Sequence, residues 1–234
     1  MRIASRFNGP ADSGHGGYTC GAVAALVGDG PARVSLRSPP PLERDLHVVR
    51  TADGVEVHDD GRLVAEAARA ELELEVTNPV GAQRAAEASM AGYESWAGEH
   101  PFPRCFACGP ERRPGDGMRL FPGSLGDGRF GAVWTPDPSL ADEDGRVRDV
   151  FVWAALDCPT AAPVAEFGVT VAVLAQLHAR INAPVAAQEP HPIVSWPLGV
   201  DGRKRHSACA IFDGDGRALA MSRALWIELR SEEV

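Results

Sequence analysis

Apolar and polar residues alternate along one long stretch of this chain. Val169, Val171, Val173, Ala175, Leu177, Ala179 and Ile181 take one side, and Thr170, Gln176, His178, Arg180 and Asn182 take the other. A period of two sustained from 169 to 181 predicts a long antiparallel strand with one wet face. The same period appears more briefly at Val34 and Leu36, set between Arg33, Ser35 and Arg37.

Turn signals show that the pattern is repeated. Asp60-Gly61-Arg62-Leu63-Val64-Ala65, running on to Glu73-Leu74, matches Asp215-Gly216-Arg217-Ala218-Leu219-Ala220, running on to Glu228-Leu229, at a constant offset of 155. Each predicts a hairpin turn leading into a half-buried or buried strand. Upstream, Arg37, Pro41 and Leu42 match Arg180, Pro184 and Val185 at an offset of 143. The second copy therefore holds about twelve extra residues, expected around Pro192-Ile193-Val194-Ser195-Trp196-Pro197.

Each copy also carries one helix candidate before its strands. Ser13-Gly14-His15-Gly16-Gly17 leads into Tyr18 to Val27, and Val150 to Cys158 is closed by Pro159. Both are apolar and alanine-rich, so neither is a surface helix; a sheet wrapped around each is the expected arrangement. Ala82 to Trp96, rich in alanine and glutamate, predicts a connecting helix. A Pro/Gly-rich segment from His100 to Gly117 then opens the second unit. The expected organisation is a first unit over 1–80, a linker over 81–100 and a second unit over 101–234.

Composition narrows the function classes. The 234 residues are 44% hydrophobic and 24% charged, as in globular proteins, and no run approaches a membrane span. The N-terminus has two arginines but no apolar core of a secretory signal. Five scattered cysteines do not read as a disulfide framework, so a reducing cytoplasm is expected. A net charge of −9, with only the short cluster Arg203-Lys204-Arg205-His206, argues against nucleic acid as a partner. A single lysine amid abundant alanine, glycine and proline marks a GC-rich bacterial genome.

These elements resemble the hot-dog thioesterase superfamily, in particular thioesterase-like proteins of the phenylacetate-pathway type. Cys105-Phe106-Ala107-Cys108-Gly109 followed by Gly117-Met118-Arg119-Leu120 resembles an opening motif found in many of them. His15-Gly16-Gly17 is similar to the His-Gly-Gly that starts their central helix, and the Asp-Gly-Arg hairpins resemble their last strand pair. The resemblance implies an α+β double hot-dog, two antiparallel sheets each wrapped around a central helix, with substrate at the interface between the units. It also implies an acyl-CoA or related thioester as substrate, no cofactor, no membrane, and scope for a homodimer of double units.

In that family a helix start of one unit presents N–H groups to the thioester carbonyl, while a carboxylate in the other unit's helix attacks it or activates water. Orphan N–H groups and the helix dipole stabilise an oxyanion, and a nearby carboxylate can act as nucleophile or base. The two copies divide these parts. The first keeps His15-Gly16-Gly17 but has Ala24 nine residues after His15; the second keeps Asp157 but reads Arg148-Asp149-Val150 nine residues before it. One composite catalytic site of Asp157, Gly17, Gly16 and His15 is expected. Arg203, Lys204 and Arg205 are expected to meet coenzyme A phosphates, with Trp153, and also Trp134 and Trp196, as acyl-pocket candidates.

Other readings bear on the same residues. Asp157 can be a structural carboxylate, and Cys158 can be a buried small hydrophobe rather than a nucleophile using His178 or His206. Cys105 and Cys108, with His100 as a third ligand, suggest a metal, but a structural zinc site wants four ligands and no second Cys-x-x-Cys exists. No metal is therefore expected. A non-catalytic acyl-CoA or lipid binder fits the divided motifs, and a hot-dog hydratase fits less well because no hydratase motif is visible.

Overall fold

A computed structural model describes residues 1–166 and 171–229. Helix α1 (Gly16–Ala24) is followed by strands β1 (Ala32–Leu36), β2 (His47–Arg50), β3 (Gly54–Asp59) and β4 (Arg62–Arg69). The connecting helix α2 (Ala82–Trp96) occupies the span its composition predicts. Then come β5 (Gly123–Ser124), β6 (Phe130–Trp134), α3 (Asp149–Ala155), α4 (Cys158–Glu166), β7 (Ala172–Ile181), β8 (His191–Asp201), β9 (Lys204–Phe212) and β10 (Ala218–Glu228). The alternating stretch forms β7; its first residues, Val169 and Thr170, lie outside the described residues.

The strands form one antiparallel sheet in the order β2-β3-β4-β1-β7-β10-β9-β8-β6-β5. The two expected sheets are thus joined edge to edge through β1 and β7, where Val34 pairs with Leu177 and Ala32 with Ala179. Val34, Leu177 and Ala179 are buried towards the helices. Helix α1 lies against β1 and β4, and α4 against β8 and β9. Helix α2 covers the other face of the second unit, where Ala85 and Ala88 pack with Val194, Ala210 and Phe212. Among the described residues, no helix is long and apolar enough to cross a membrane.

Strand pairing corrects the repeat in detail. Leu36 pairs with Ala65 and Ile181 with Ala220, so with the hairpins aligned at 155 the strand offset is 145 rather than 143. A two-residue shift keeps every side chain on its own face, which is why the period alone could not reveal it. Val48 pairs with Val57 and Ile193 with Ile211, which holds β8 at 145. The extra residues therefore lie mostly beyond Ser195, in the long tip of the β8–β9 hairpin, and not upstream of it. The basic residues Arg203, Lys204 and Arg205 ride on this extension.

Pro159 does not close the second central helix. Lacking an N–H, it cannot bond back to Ala155, so the chain breaks at Leu156-Asp157 and restarts with Pro159 in the first turn of α4. The two central helices cross at glycines. A Cβ on Gly17 would sit 2.7 Å from the Trp153 carbonyl oxygen and 3.1 Å from Ala154 Cα. One on Gly21 would sit 2.8 Å from Trp153 Cβ and 3.0 Å from Val150 Cα. His15 and Arg148 are the N-caps of α1 and α3, an offset of 133. At that offset Gly17 corresponds to Val150 and Gly21 to Ala154, the reciprocal contacts that a two-fold relation between the helices requires.

Gly21→Ala should therefore separate α1 from α3 and lower stability by roughly 1–3 kcal/mol, the cost of overpacking a tight contact. Urea unfolding of the variant checks this; an unchanged midpoint would contradict the close crossing.

Candidate functional site

The break after α3 turns Asp157 out of the helix and towards the start of α1. Its backbone carbonyl accepts from Thr160 N–H at 2.8 Å and from Thr160 Oγ1–H at 2.6 Å. Thr160 is fixed in turn by Trp226 Nε1–H donating to Oγ1 at 2.9 Å, and by Ser207 Oγ–H donating to its carbonyl at 2.8 Å. Ser222 Oγ–H holds the Leu156 carbonyl at 3.1 Å. Strands β9 and β10 thus position the bend that carries the carboxylate.

The side chain of Asp157 crosses to the first unit, where Oδ2 accepts from Gly17 N–H at 2.6 Å. His15 Nε2 is 3.3 Å from the same oxygen and 3.2 Å from Cys158 Sγ. The other ring nitrogen, Nδ1, accepts from Tyr18 N–H at 3.1 Å, which caps α1 and places the ring proton on Nε2. Asp157 and His15 are each only 2% exposed, and Asp157 Oδ1 is buried without a hydrogen-bond partner. Both α1 and α4 begin at this point, and two helix starts favour negative charge there.

Burial pushes the Asp157 carboxyl above the ordinary carboxylate range, against the pull of His15 and the Gly17 N–H. Burial alone would lower His15, but Cys105 and Asp157 together raise it. Cys105 Sγ lies 3.8 Å from Cys158 Sγ, and hydrogen bonds from the Cys108 and Cys158 thiols bring the Cys105 thiol well below its usual range. His15, Cys105 and Cys158 place their donor atoms within 4.8 Å of one another. His100 is elsewhere engaged: its Nδ1 accepts from Phe102 N–H at 3.0 Å, and its ring packs on Trp96.

Of the expected site residues, Asp157, Gly17 and His15 come into direct contact, and Gly16 lies beside them, with a Cβ there 3.1 Å from Asp157 Oδ2. Trp153 is buried at the helix crossing. The basic residues are held within their own hairpin and the end of β10. Lys204 pairs with Asp201 at 3.4 Å and Arg205 with Glu228 at 2.5 Å, while Arg203 donates to the Glu228 carbonyl at 3.2 Å. His178 and His206 line a separate cavity of about 200 Å³ with Arg33 and Arg223, whereas the histidine beside Cys158 is His15.

No family profile matches the sequence. No curated protein matches it either. Solved structures do. The chain superposes on the tesB protein of Mycobacterium avium subspecies paratuberculosis with a TM-score of 0.62 and 13% identity, covering 94% of this chain and 89% of that one. A protein of Novosphingobium aromaticivorans assigned to the thioesterases gives a TM-score of 0.61 at 13% identity, over 98% of this chain and 94% of that one. The fold is the double hot-dog that these structures share.

Within this double hot-dog a larger cavity, of about 510 Å³, opens beside the buried cluster. Arg6, Phe106, Arg119, Trp134, Leu140 and Gln188 are among its walls. Phe106 separates it from His15, which its ring meets edge-on at 6.4 Å. Sequence reasoning missed this cavity because its walls come from distant segments. The 100–120 segment is docked on the N-terminus by Phe106 N–H donating to Asn8 O at 2.7 Å and by buried Arg112, which donates to Arg6 O at 2.8 Å. An arginine in a Pro/Gly-rich stretch carries no signal of such a role.

The raised Asp157 carboxyl has a consequence for stability. A folded group that takes up its proton at higher pH than the unfolded one contributes fully below the unfolded value, about 3.9, and loses that contribution as pH rises through the folded value. Asp157→Asn has no proton to lose, so its stability relative to wild type should improve as pH rises from about 4. Urea midpoints of both proteins in chelator-containing buffer test this; a difference that stays flat or falls with pH would contradict it.

Proposed function

We propose that the chain hydrolyses an acyl-CoA or related thioester at one composite site between its two units. The observation that carries this reading is the meeting of Asp157 from the second unit with the Gly17 N–H at the start of α1 in the first. In the working complex the thioester oxygen takes the Gly17 N–H, and the carboxylate is released from that bond. The freed Asp157 then acts on the carbonyl carbon, as nucleophile or as base for water, while the N–H and the helix dipole hold the developing oxyanion. His15 Nε2–H, 3.3 Å from the carboxylate, keeps it aimed at the helix start.

The cavity of about 510 Å³ lies on the far side of Phe106 and gives the substrate a route, with Arg6 and Arg119 as cations at its wall. Lys204 and its neighbours on the hairpin extension supply a second set of cations for the nucleotide phosphates. The names of the two superposed structures agree with thioester chemistry, although at 13% identity their likeness speaks to fold alone.

A second reading has its own support. Asp157 occupies the very N–H that a substrate would use, and the pair is buried. That geometry fits a protein that binds an acyl-CoA without turning it over. A panel of acyl-CoA esters, read by free-thiol release, separates the two. Hydrolysis by wild type that falls about a hundredfold or more in Asp157→Asn supports the enzyme. Turnover that survives this substitution removes Asp157 from the chemistry, and saturable binding with no thiol release establishes the binder.

The hairpin cations have their own test. Lys204→Glu reverses a charge whose only described ion pair is an exposed one at 3.4 Å. The variant should raise KM for the CoA ester several-fold at low salt with kcat unchanged; an unaltered KM would dispose of the phosphate-binding role.

A further inference from the structure

Four metal-ligating side chains from three distant segments meet at the boundary between the units, and the proposed hydrolysis uses them only in part. Cys105 and Cys108 come from the loop after α2, Cys158 is the first residue of α4, and His15 caps α1. They are buried, with exposures of 3%, 5%, 6% and 2%. We propose that Cys105, Cys108, Cys158 and His15 form a binding site for a thiophilic divalent cation, zinc by its tetrahedral three-sulfur, one-nitrogen donor set.

The geometry supports this beyond the residue types. Zinc–sulfur bonds of about 2.3 Å in a tetrahedron set sulfurs about 3.8 Å apart, and Cys105 Sγ and Cys158 Sγ are 3.8 Å apart. His15 Nε2 stands 3.2 Å from Cys158 Sγ, and the donor atoms of His15, Cys105 and Cys158 lie within 4.8 Å of one another, with buried Cys108 three residues along the same loop as Cys105. The Cys-x-x-Cys loop is closed on itself with both cysteines buried: Gly109 N–H donates to the Cys105 carbonyl at 2.9 Å. Its closure demands glycine at 109, where a Cβ would lie 2.5 Å from the Cys105 oxygen and 2.6 Å from its nitrogen. The loop is further zipped to the Gly117-Met118-Arg119-Leu120 stretch by Met118 N–H to Phe106 O and Leu120 N–H to Ala107 O, at 2.9 and 2.8 Å.

The second donor pair that a Cys-x-x-Cys needs is absent nearby in sequence, and the fold supplies it from α1 and α4. Three thiolates and an imidazole around a divalent cation carry one net negative charge, which the starts of α1 and α4 favour. Loading releases about three protons per ion. The ring of His15 keeps one proton, which leaves Nε2 for Nδ1, so the cap bond to Tyr18 N–H is given up on loading. The ion would tie the 100–120 loop and both central helices together next to Asp157. The site shares His15 with the proposed hydrolysis but does not rest on that reading.

The test uses the full chain without an affinity tag, reduced, stripped with chelator and reconstituted with zinc chloride. Elemental analysis should find about one zinc per chain after gel filtration. Cobalt(II) in place of zinc should give an intense sulfur-to-metal charge-transfer band and the visible bands of a tetrahedral ion. Cys105→Ser and Cys158→Ser should each reduce the charge-transfer intensity by about a third, as one of three thiolates is lost. A folded wild-type chain that gives no such band with cobalt(II) overturns the proposal, and this outcome holds even if the variants do not fold. A band that persists undiminished in folded Cys105→Ser, Cys158→Ser double variant overturns it as well.

Discussion

The hydrogen bond from Gly17 N–H to the Asp157 carboxylate organises the interior of this protein. It exists because two glycines one helical turn apart let α1 settle on α3, so close that a methyl group at either position would meet neighbouring atoms at 3.0 Å or less. It also exists because the chain breaks at Leu156-Asp157, where Pro159 in the first turn of α4 cannot bond back to Ala155, and the break swings Asp157 out of line. A buried carboxylate is costly unless donors and dipoles compensate it. Here the helix start, the His15 ring and the onset of α4 share that task, leaving Oδ1 as the unsatisfied atom.

The same contact explains why the two halves differ. A two-fold relation offers the mirror position, where Val150 stands in the first turn of α3 and Ala24 takes the place of the carboxylate. That pair is apolar and has no acid to offer, so the interface holds one polar centre and one plain packing contact. Two halves fused in a single chain can drift apart in this way, because each needs to keep only its own part. The seam of β1 and β7 is free of this asymmetry, since backbone pairing and small apolar side chains serve both halves equally.

Much of this was legible in the residues. Alternation revealed β7, the Asp-Gly-Arg turns revealed the repeat, and the helix starts and Asp157 were placed at the spacing the structure shows. What period-two patterns cannot carry is absolute register, so the matched residues give a strand offset of 143 where pairing gives 145, and they place the extra residues ahead of the hairpin tip that holds them. Pro159 is ambiguous in the sequence because a proline stops one helix as readily as it starts another. The gathering of Cys105, Cys108, Cys158 and His15 was invisible because spacing rules for metal sites look along the chain, whereas these donors converge only through the docking of the 100–120 loop by Arg112. The cavity beside Phe106 was hidden for the same reason.

The central claim is that a single helix start, that of α1, serves the reacting carbonyl. The most direct measurement follows the backbone amides of Gly17 and Val150 by NMR while a 2-oxoalkyl-CoA, a ketone that cannot be hydrolysed, is added. The account predicts that the Gly17 amide moves as its hydrogen bond passes from Asp157 to the ketone oxygen, while Val150 stays in place. A saturated complex in which Gly17 does not move, or in which both amides move alike, would contradict it.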